Sequence, residues 1–166
     1  MVSGPTALTP PGGVELLSVI TAQEMAEAVW GRFDTVDVCI MAAAVCDFRP
    51  KKTALAKIKK TRLADGWHLD LEATPDILAE LGRRKKSQVL IGFAAETEDL
   101  ESHARGKLTR KRLDLIVAND ASAFDADTNR VTFISGEGLI ERLPELPKSE
   151  VAARIIERAV RLVGVR

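Results

Sequence analysis

The stretch Val36 to Arg49, VDVCIMAAAVCDFR, decides how the rest of the chain is read. Apolar residues run through its first half without alternating polar positions, the pattern of a strand covered on both faces inside a parallel sheet. Ala42, Ala43 and Ala44 then fall near the carboxyl end of that strand, where open α/β sheets bind their ligands. With so little side chain in the way, a ligand would reach the backbone, while Asp47 and Arg49 place charge at the rim. The same alanines also suit a helix packed tightly against the strand, and this stretch alone leaves both readings open.

Working outward, 166 residues suffice for one domain with a single core. A hydrophobic fraction of 46% and a charged fraction of 29% are those of a globular protein, which sets aside fibrous and disordered classes. Lys plus Arg and Asp plus Glu both number 24, so net charge gives no global steering toward nucleic acid or a membrane surface. Any anion site must therefore be local. Cys39 and Cys46 have neither metal-site nor redox spacing and read as buried small apolar residues. No signal peptide or bilayer-length apolar run is evident, so a cytoplasmic location is expected.

On the amino-terminal side, MVSGPTALTPPGG is dense in Gly, Pro and Thr and reads as a loop. Val14 to Ile20 follows as a strand, and Thr21-Ala22-Gln23-Glu24 is a capping-box pattern that starts a helix through Val29. A helix between two strands is the βαβ arrangement of a parallel sheet. On the other side, Lys51, Lys52, Lys57, Lys59, Lys60 and Arg62 crowd a basic loop. Leu63 to Glu72 contains the turn signal Asp65-Gly66, then Trp67, Leu69 and Leu71 alternating with polar residues, and reads as an arm that needs something to lie on. Thr74 is expected to cap a helix with Pro75 at its first position, ending before Gly82.

Gln88 to Ala95 repeats the organising pattern, a buried strand with a glycine and alanines toward its end. Thr97 caps the next helix, whose stripe is Leu100, Ala104 and Leu108, with Lys107 and Lys111 on the neighbouring strip. Their spacing predicts that both lysines point toward the carboxyl ends of the strands. Leu113 to Ala118 is a third buried strand, Val131 to Ile134 and Leu139 to Leu143 form a hairpin, and Ser149 caps a last helix with Val151, Ile155, Ala159 and Leu162 inside.

If the sheet is parallel, three strand ends converge, bringing Ala43, Ala44 and Asp47, then Phe93 and Glu96, then Asn119 and Asp120. With the lysines added, the pattern suits a polyanion such as a nucleoside triphosphate. Each part has a plainer reading: a lysine pair or basic loop as a solvated face, Phe93 as core. His68 and His103 read as surface residues, and no metal cluster, Ser/His/Asp arrangement or Gly-rich phosphate loop is seen.

The order of motifs is more specific than any one of them. AAAVCDFRP, KIKK, ATPDIL, GFAAET, a helix bearing Lys107 and Lys111, and LDLIVAND closely resemble phosphopantothenoylcysteine synthetase, the ligase domain often fused behind a flavin-dependent decarboxylase in bacterial coenzyme A biosynthesis. The resemblance runs from about Val2 to the C-terminus. It implies an α/β, Rossmann-like three-layer domain with a mostly parallel sheet, a C-terminal hairpin and a protruding dimerisation arm. It also implies that CTP activates the carboxylate of 4'-phosphopantothenate as an acyl-cytidylate, which the amine of cysteine then attacks. Residue by residue, Ala43, Ala44, Asp47 and Phe93 resemble the cytidine nucleotide site, Lys57 the catalytic loop lysine, and Lys107 with Lys111 the triphosphate-binding pair. Magnesium is expected with the triphosphate, with no protein metal site; a homodimer is expected, and no flavin, nucleic acid or membrane.

Family members begin with a further strand and an Asn-bearing, SSGK-like segment, and none of that precedes Met1. The resemblance therefore implies a single ligase domain, residues 1–166, truncated at its N-terminus. A non-catalytic nucleotide-binding or dimerisation fragment of that ligase is the alternative. An RNA-binding module is more distant, because the lysines lack interleaved exposed aromatics.

Overall fold

The computed structural model describes residues 1–59, 68–96, 100–120 and 127–164, with main chain only at 95, 96, 100 and 120. In chain order the elements are β1 (Val2–Ser3), β2 (Leu17–Ser18), α1 (Ala22–Trp30), β3 (Val38–Met41), β4 (Phe48–Pro50), β5 (Leu71–Ala73), α2 (Ile77–Arg84) and β6 (Val89–Glu96). There follow α3 (Leu100–Arg110), β7 (Leu115–Asp120), β8 (Thr128–Asn129), β9 (Val131–Ser135), β10 (Ile140–Arg142), β11 (Leu146–Pro147) and α4 (Lys148–Gly164). Internal contacts group them into two units, Met1–Ala28 with Ala44–Asp76, and Val29–Ala43 with Ile77–Arg166.

The second unit is built on a sheet of order β10-β9-β7-β6-β3. β3, β6 and β7 pair in parallel, β9 runs against β7, and β10 against β9, so β9 alone is reversed. This is the expected mostly parallel sheet with its C-terminal hairpin. Alternate residues of the strands serve opposite faces. On one face Val89, Ile91, Leu115, Val117, Val131 and Phe133 pack with Val151, Ile155 and Ala159 of α4. Each such side chain, fully buried, contributes about 1.5–3 kcal/mol. Leu90, Ile116 and Ile134 are fully buried on the other face, where α2 brings Leu78 and Leu81 and α3 brings Ala104 and Leu108. Two helical layers thus enclose this sheet.

In the first unit β1 and β2 form a short parallel pair, so Val2–Ser3 is strand where loop is expected, and only Leu17–Ser18 of the expected Val14 to Ile20 strand forms. The capping box at α1 forms as expected. Thr21 Oγ1 accepts from Glu24 N at 3.1 Å, and Glu24 Oε2 accepts from Ile20 N at 2.7 Å and Thr21 N at 3.1 Å. Those donors, Ile20 first, hold the Glu24 carboxyl below its ordinary range.

The arm differs in its makeup. β4 pairs antiparallel with β5, Phe48 opposite Ala73 and Pro50 opposite Leu71, so the end of the organising stretch is half of it. Phe48, Pro50, Leu71 and Ala73 share one face, while Arg49 and Glu72 pair at 2.8 Å on the other. Trp67 and the Asp65-Gly66 turn lie outside the described residues.

Candidate functional site

β3 stops at Met41, whose partner on β6 is Gly92, and Ala42, Ala43 and Ala44 are exposed as the chain leaves the ladder. β6 continues to Glu96, paired with β7 through Glu96 opposite Asp120. The carboxyl edge is therefore stepped, and Phe93 is the first β6 residue past the end of β3. In open α/β sheets such a carboxyl edge is the usual place for ligands. Contrary to the expected strand covered on both faces, Val38 to Met41 are each only half-buried, β3 being the outermost strand of this sheet among the described residues.

The repeated small residues of β6 turn out to serve two purposes. A Cβ on Gly92 would stand 2.8 Å from Leu78 Cδ2 and 2.9 Å from Leu113 Cδ1, so this glycine admits helix and loop side chains rather than a ligand. Phe93 points to the opposite face and packs, partly buried, on the core beneath α4. Its carbonyl oxygen accepts a hydrogen bond from Lys107 Nζ at 2.6 Å. The structure thus brings Phe93 and Lys107 together, through main chain rather than ring.

Lys111 follows Arg110, the last residue of α3. α3 runs back toward the amino ends of the strands and closes with a Schellman turn, Leu113 N to Leu108 O at 2.9 Å and Arg112 N to Thr109 O at 3.2 Å. Arg112 takes the left-handed position with φ 51°. This puts the Lys111 main chain beyond the helix, its carbonyl directed at Gly82 near the end of α2. Lys85, also past α2, locks the corner: its Nζ donates to Arg112 O and to Asp114 Oδ2, both at 2.8 Å, and the same carboxylate oxygen accepts from Leu90 N at 2.7 Å. The two lysines therefore stand about one turn apart in the main chain.

In the first unit Ala44, Asp47 and Lys57 are exposed. Asp47 sits where Thr74 fastens the chain: Thr74 N donates to Asp47 O at 2.9 Å and Thr74 Oγ1 donates to Cys46 O. Thr74 is thus not the expected helix cap, and α2 starts later, at Ile77. A threonine followed by proline gave that cap reading; its use as a clasp depends on β4–β5 pairing, which local sequence does not reveal. Among the described residues Lys57 makes no hydrogen bond or ion pair.

Cys46 is exposed, correcting its reading as a buried residue, and Cys39 is half-buried, with burial pushing its thiol up to about 11. His68 and His103 are exposed, as expected. Among the described residues no group of three or more His, Cys, Asp or Glu could hold a metal ion, and no helix is long and apolar enough to cross a membrane.

Residues 1–162 match the family described as DNA/pantothenate metabolism flavoprotein, C-terminal domain. This chain belongs to that family. A relative within it, the coenzyme A biosynthesis bifunctional protein CoaBC of Bacillus subtilis (strain 168), is 46% identical over 167 residues, covering 98% of this chain and 41% of its own length. The crystal structure of the C-terminal domain of a CoaBC protein superposes with TM-score 0.84 at 41% identity, over 99% of this chain and 74% of that one. A Cab2 mutant in complex with phosphopantothenate-cysteine has the same fold, with TM-score 0.69 at 21% identity over 90% of this chain and 54% of that one. The chain spans less than half of the Bacillus relative, and the flavoprotein C-terminal domain family is matched along nearly all of it.

Proposed function

We propose that this chain acts in coenzyme A biosynthesis as a phosphopantothenate–cysteine ligase that uses CTP, contributing the nucleotide side of the site. The likeness to the CoaBC C-terminal domain along 99% of the chain carries the reading. In the first step a carboxylate oxygen of 4'-phosphopantothenate attacks the α-phosphorus of CTP. The bond to the β-phosphate breaks, and pyrophosphate leaves with the electron pair. In the second step the amine of cysteine attacks the acyl carbon, loses a proton, and expels CMP.

The residues suit that division of labour. Ala43 and Ala44 leave the backbone open to the cytidine moiety, and the resemblance gives Asp47 and Phe93 a part in holding it. Lys107 and Lys111 offset phosphate repulsion, and Lys57 meets the charge that develops as pyrophosphate departs. Magnesium enters as a complex with the triphosphate, since such ions are held largely by substrate oxygens and water. The exposed apolar face of β4–β5 fits the homodimer the resemblance implies, and the absence of charged steering fits a small-molecule substrate in the cytoplasm. A flavin-dependent decarboxylase as fused partner belongs to the same reading.

Calorimetric titration with CTP, beside pyrophosphate release in the presence of phosphopantothenate, cysteine and magnesium, tests it. Lys107→Ala is expected to weaken CTP binding by about 1–3 kcal/mol, the loss of a bond to a charged group. CTP binding without pyrophosphate release would favour the nucleotide-binding fragment, and no CTP binding at all would refute both.

A further inference from the structure

Thr74 carries two donors, and both go to the main chain that bears Asp47. Its N–H donates to Asp47 O at 2.9 Å, and its Oγ1 donates to Cys46 O. The first bond extends the β4–β5 ladder by one step, since Phe48 opposite Ala73 sets Asp47 opposite Thr74. The second lies beyond the ladder. In that register the residue opposite Cys46 is Pro75, which has no N–H to give. The threonine hydroxyl supplies the donor that proline lacks.

Pairing of the two strands does not depend on that hydroxyl. Farther along, Arg49 Nε donates to Glu72 Oε1 at 2.8 Å and Lys51 N to Asp70 O at 2.9 Å. What the hydroxyl adds is local to Asp47. Cys46 O belongs to the peptide plane before the Asp47 Cα, and Asp47 O to the plane after it. Peptide planes are rigid, and a residue has only the two dihedrals that join them. Holding both planes therefore fixes φ and ψ of Asp47, and with them the direction in which its side chain leaves the backbone. Asp47 is exposed, and Ala42, Ala43 and Ala44 ahead of it are exposed residues with no polar side chain to anchor the strand exit. Ordering this main chain costs conformational entropy, and the clasp meets that cost before a ligand arrives.

We propose that Thr74 is a positioning residue for the Asp47 carboxylate, aiming it by clasping the peptide planes on either side. The proposal rests on the reading above that Asp47 helps hold the nucleotide, and Thr74 acts through Asp47 rather than on the nucleotide. Thr74→Val removes the hydroxyl at nearly equal size and keeps the N–H, whereas Thr74→Ser keeps both donors. Amide hydrogen exchange at residue 74, corrected for intrinsic rate, should quicken by about two- to tenfold in Thr74→Val, the loss of one neutral hydrogen bond. Exchange at Lys51 should stay as it is, and Thr74→Ser should behave like the unaltered chain. Calorimetry should find CTP binding weakened by a similar factor in Thr74→Val and restored in Thr74→Ser. With Asp47→Ala already present, Thr74→Val should weaken binding no further, because the two residues act as one. Unchanged exchange at residue 74, no rescue by serine, or an equal loss of affinity in the Asp47→Ala background overturns the proposal. If the unaltered chain binds no CTP, or Asp47→Ala binds it equally well, the nucleotide reading of Asp47 fails. Exchange at residue 74 then upholds or overturns the hold of Thr74 on Asp47 by itself.

Discussion

Gly82→Ala isolates the contact that seats α3 and its lysines against α2. A Cβ built on Gly82 would lie 2.0 Å from Lys111 O and 2.8 Å from Lys111 C, both main-chain atoms. Neither can rotate aside. The carbonyl belongs to the Schellman turn, and the next residues are held by Lys85 through Arg112 O and Asp114 Oδ2 at 2.8 Å. The Lys85 and Asp114 side chains are only 11% and 14% exposed, so their bond is poorly screened. Three contributions compete. Alanine favours the helix over glycine by about 0.8–1.0 kcal/mol. Overpacking costs about 1–3 kcal/mol, and loss of the Lys85 bond to a charged partner costs about 1.5–3 kcal/mol. The net is a destabilisation of about 2–5 kcal/mol, read as the shift in urea midpoint at constant slope. Gly106→Ala in α3 is the control, because nothing lies within 4 Å of its added Cβ. It should gain up to about 1 kcal/mol from propensity alone. If Gly82→Ala proved as stable as Gly106→Ala, the close approach of α2 and Lys111 would be wrong.

Arg112→Gly should stabilise the chain by up to about 1 kcal/mol in the same urea assay, since Arg112 holds a left-handed position at φ 51° that glycine takes without steric cost. Toward a disulfide reagent near neutral pH, Cys46 should react first and Cys39 more slowly, because a thiol raised from 9.0 to about 11 has about a hundredfold less thiolate. Folding therefore favours the protonated Cys39, so its contribution is intact below pH 9.0 and is lost as pH rises toward about 11, visible in alkaline urea titrations. Phe48→Asp with Leu71→Asp should shift the sedimenting species to monomer without unfolding it, because both residues are more than half exposed on the apolar face of the arm; an unchanged sedimentation coefficient would remove that face from any dimer.

Elements whose own apolar period is long were legible in advance. β6, α3, β7, the β9–β10 hairpin and α4 fall within a few residues of expectation, because burial on both faces or along one stripe writes itself into neighbouring residues. Elements made by distant pairing were not. β4 is three residues whose partner β5 is more than 20 positions away, and β1 and β2 are two residues each, too short to show a period. The Thr74 clasp was missed for the same reason. Its partners, Cys46 and Asp47, are adjacent only once β4 and β5 have paired.

Candidate site residues were named from motif order, yet their geometry rests on residues that motif reading valued for something else. Lys107 reaches Phe93 O only because α3 sits close to the sheet, and that depth is set where Gly92 leaves room for Leu78 and Leu113 and where Gly82 leaves room for the Lys111 carbonyl. Both glycines look from sequence like places for a ligand or for a helix to end. In the structure they are where side chain and main chain from neighbouring elements fit against the backbone. The height of α3 over β6, and with it the place of each lysine along the sheet, is therefore a packing property. A change at either glycine should move the lysines while leaving every motif residue in place.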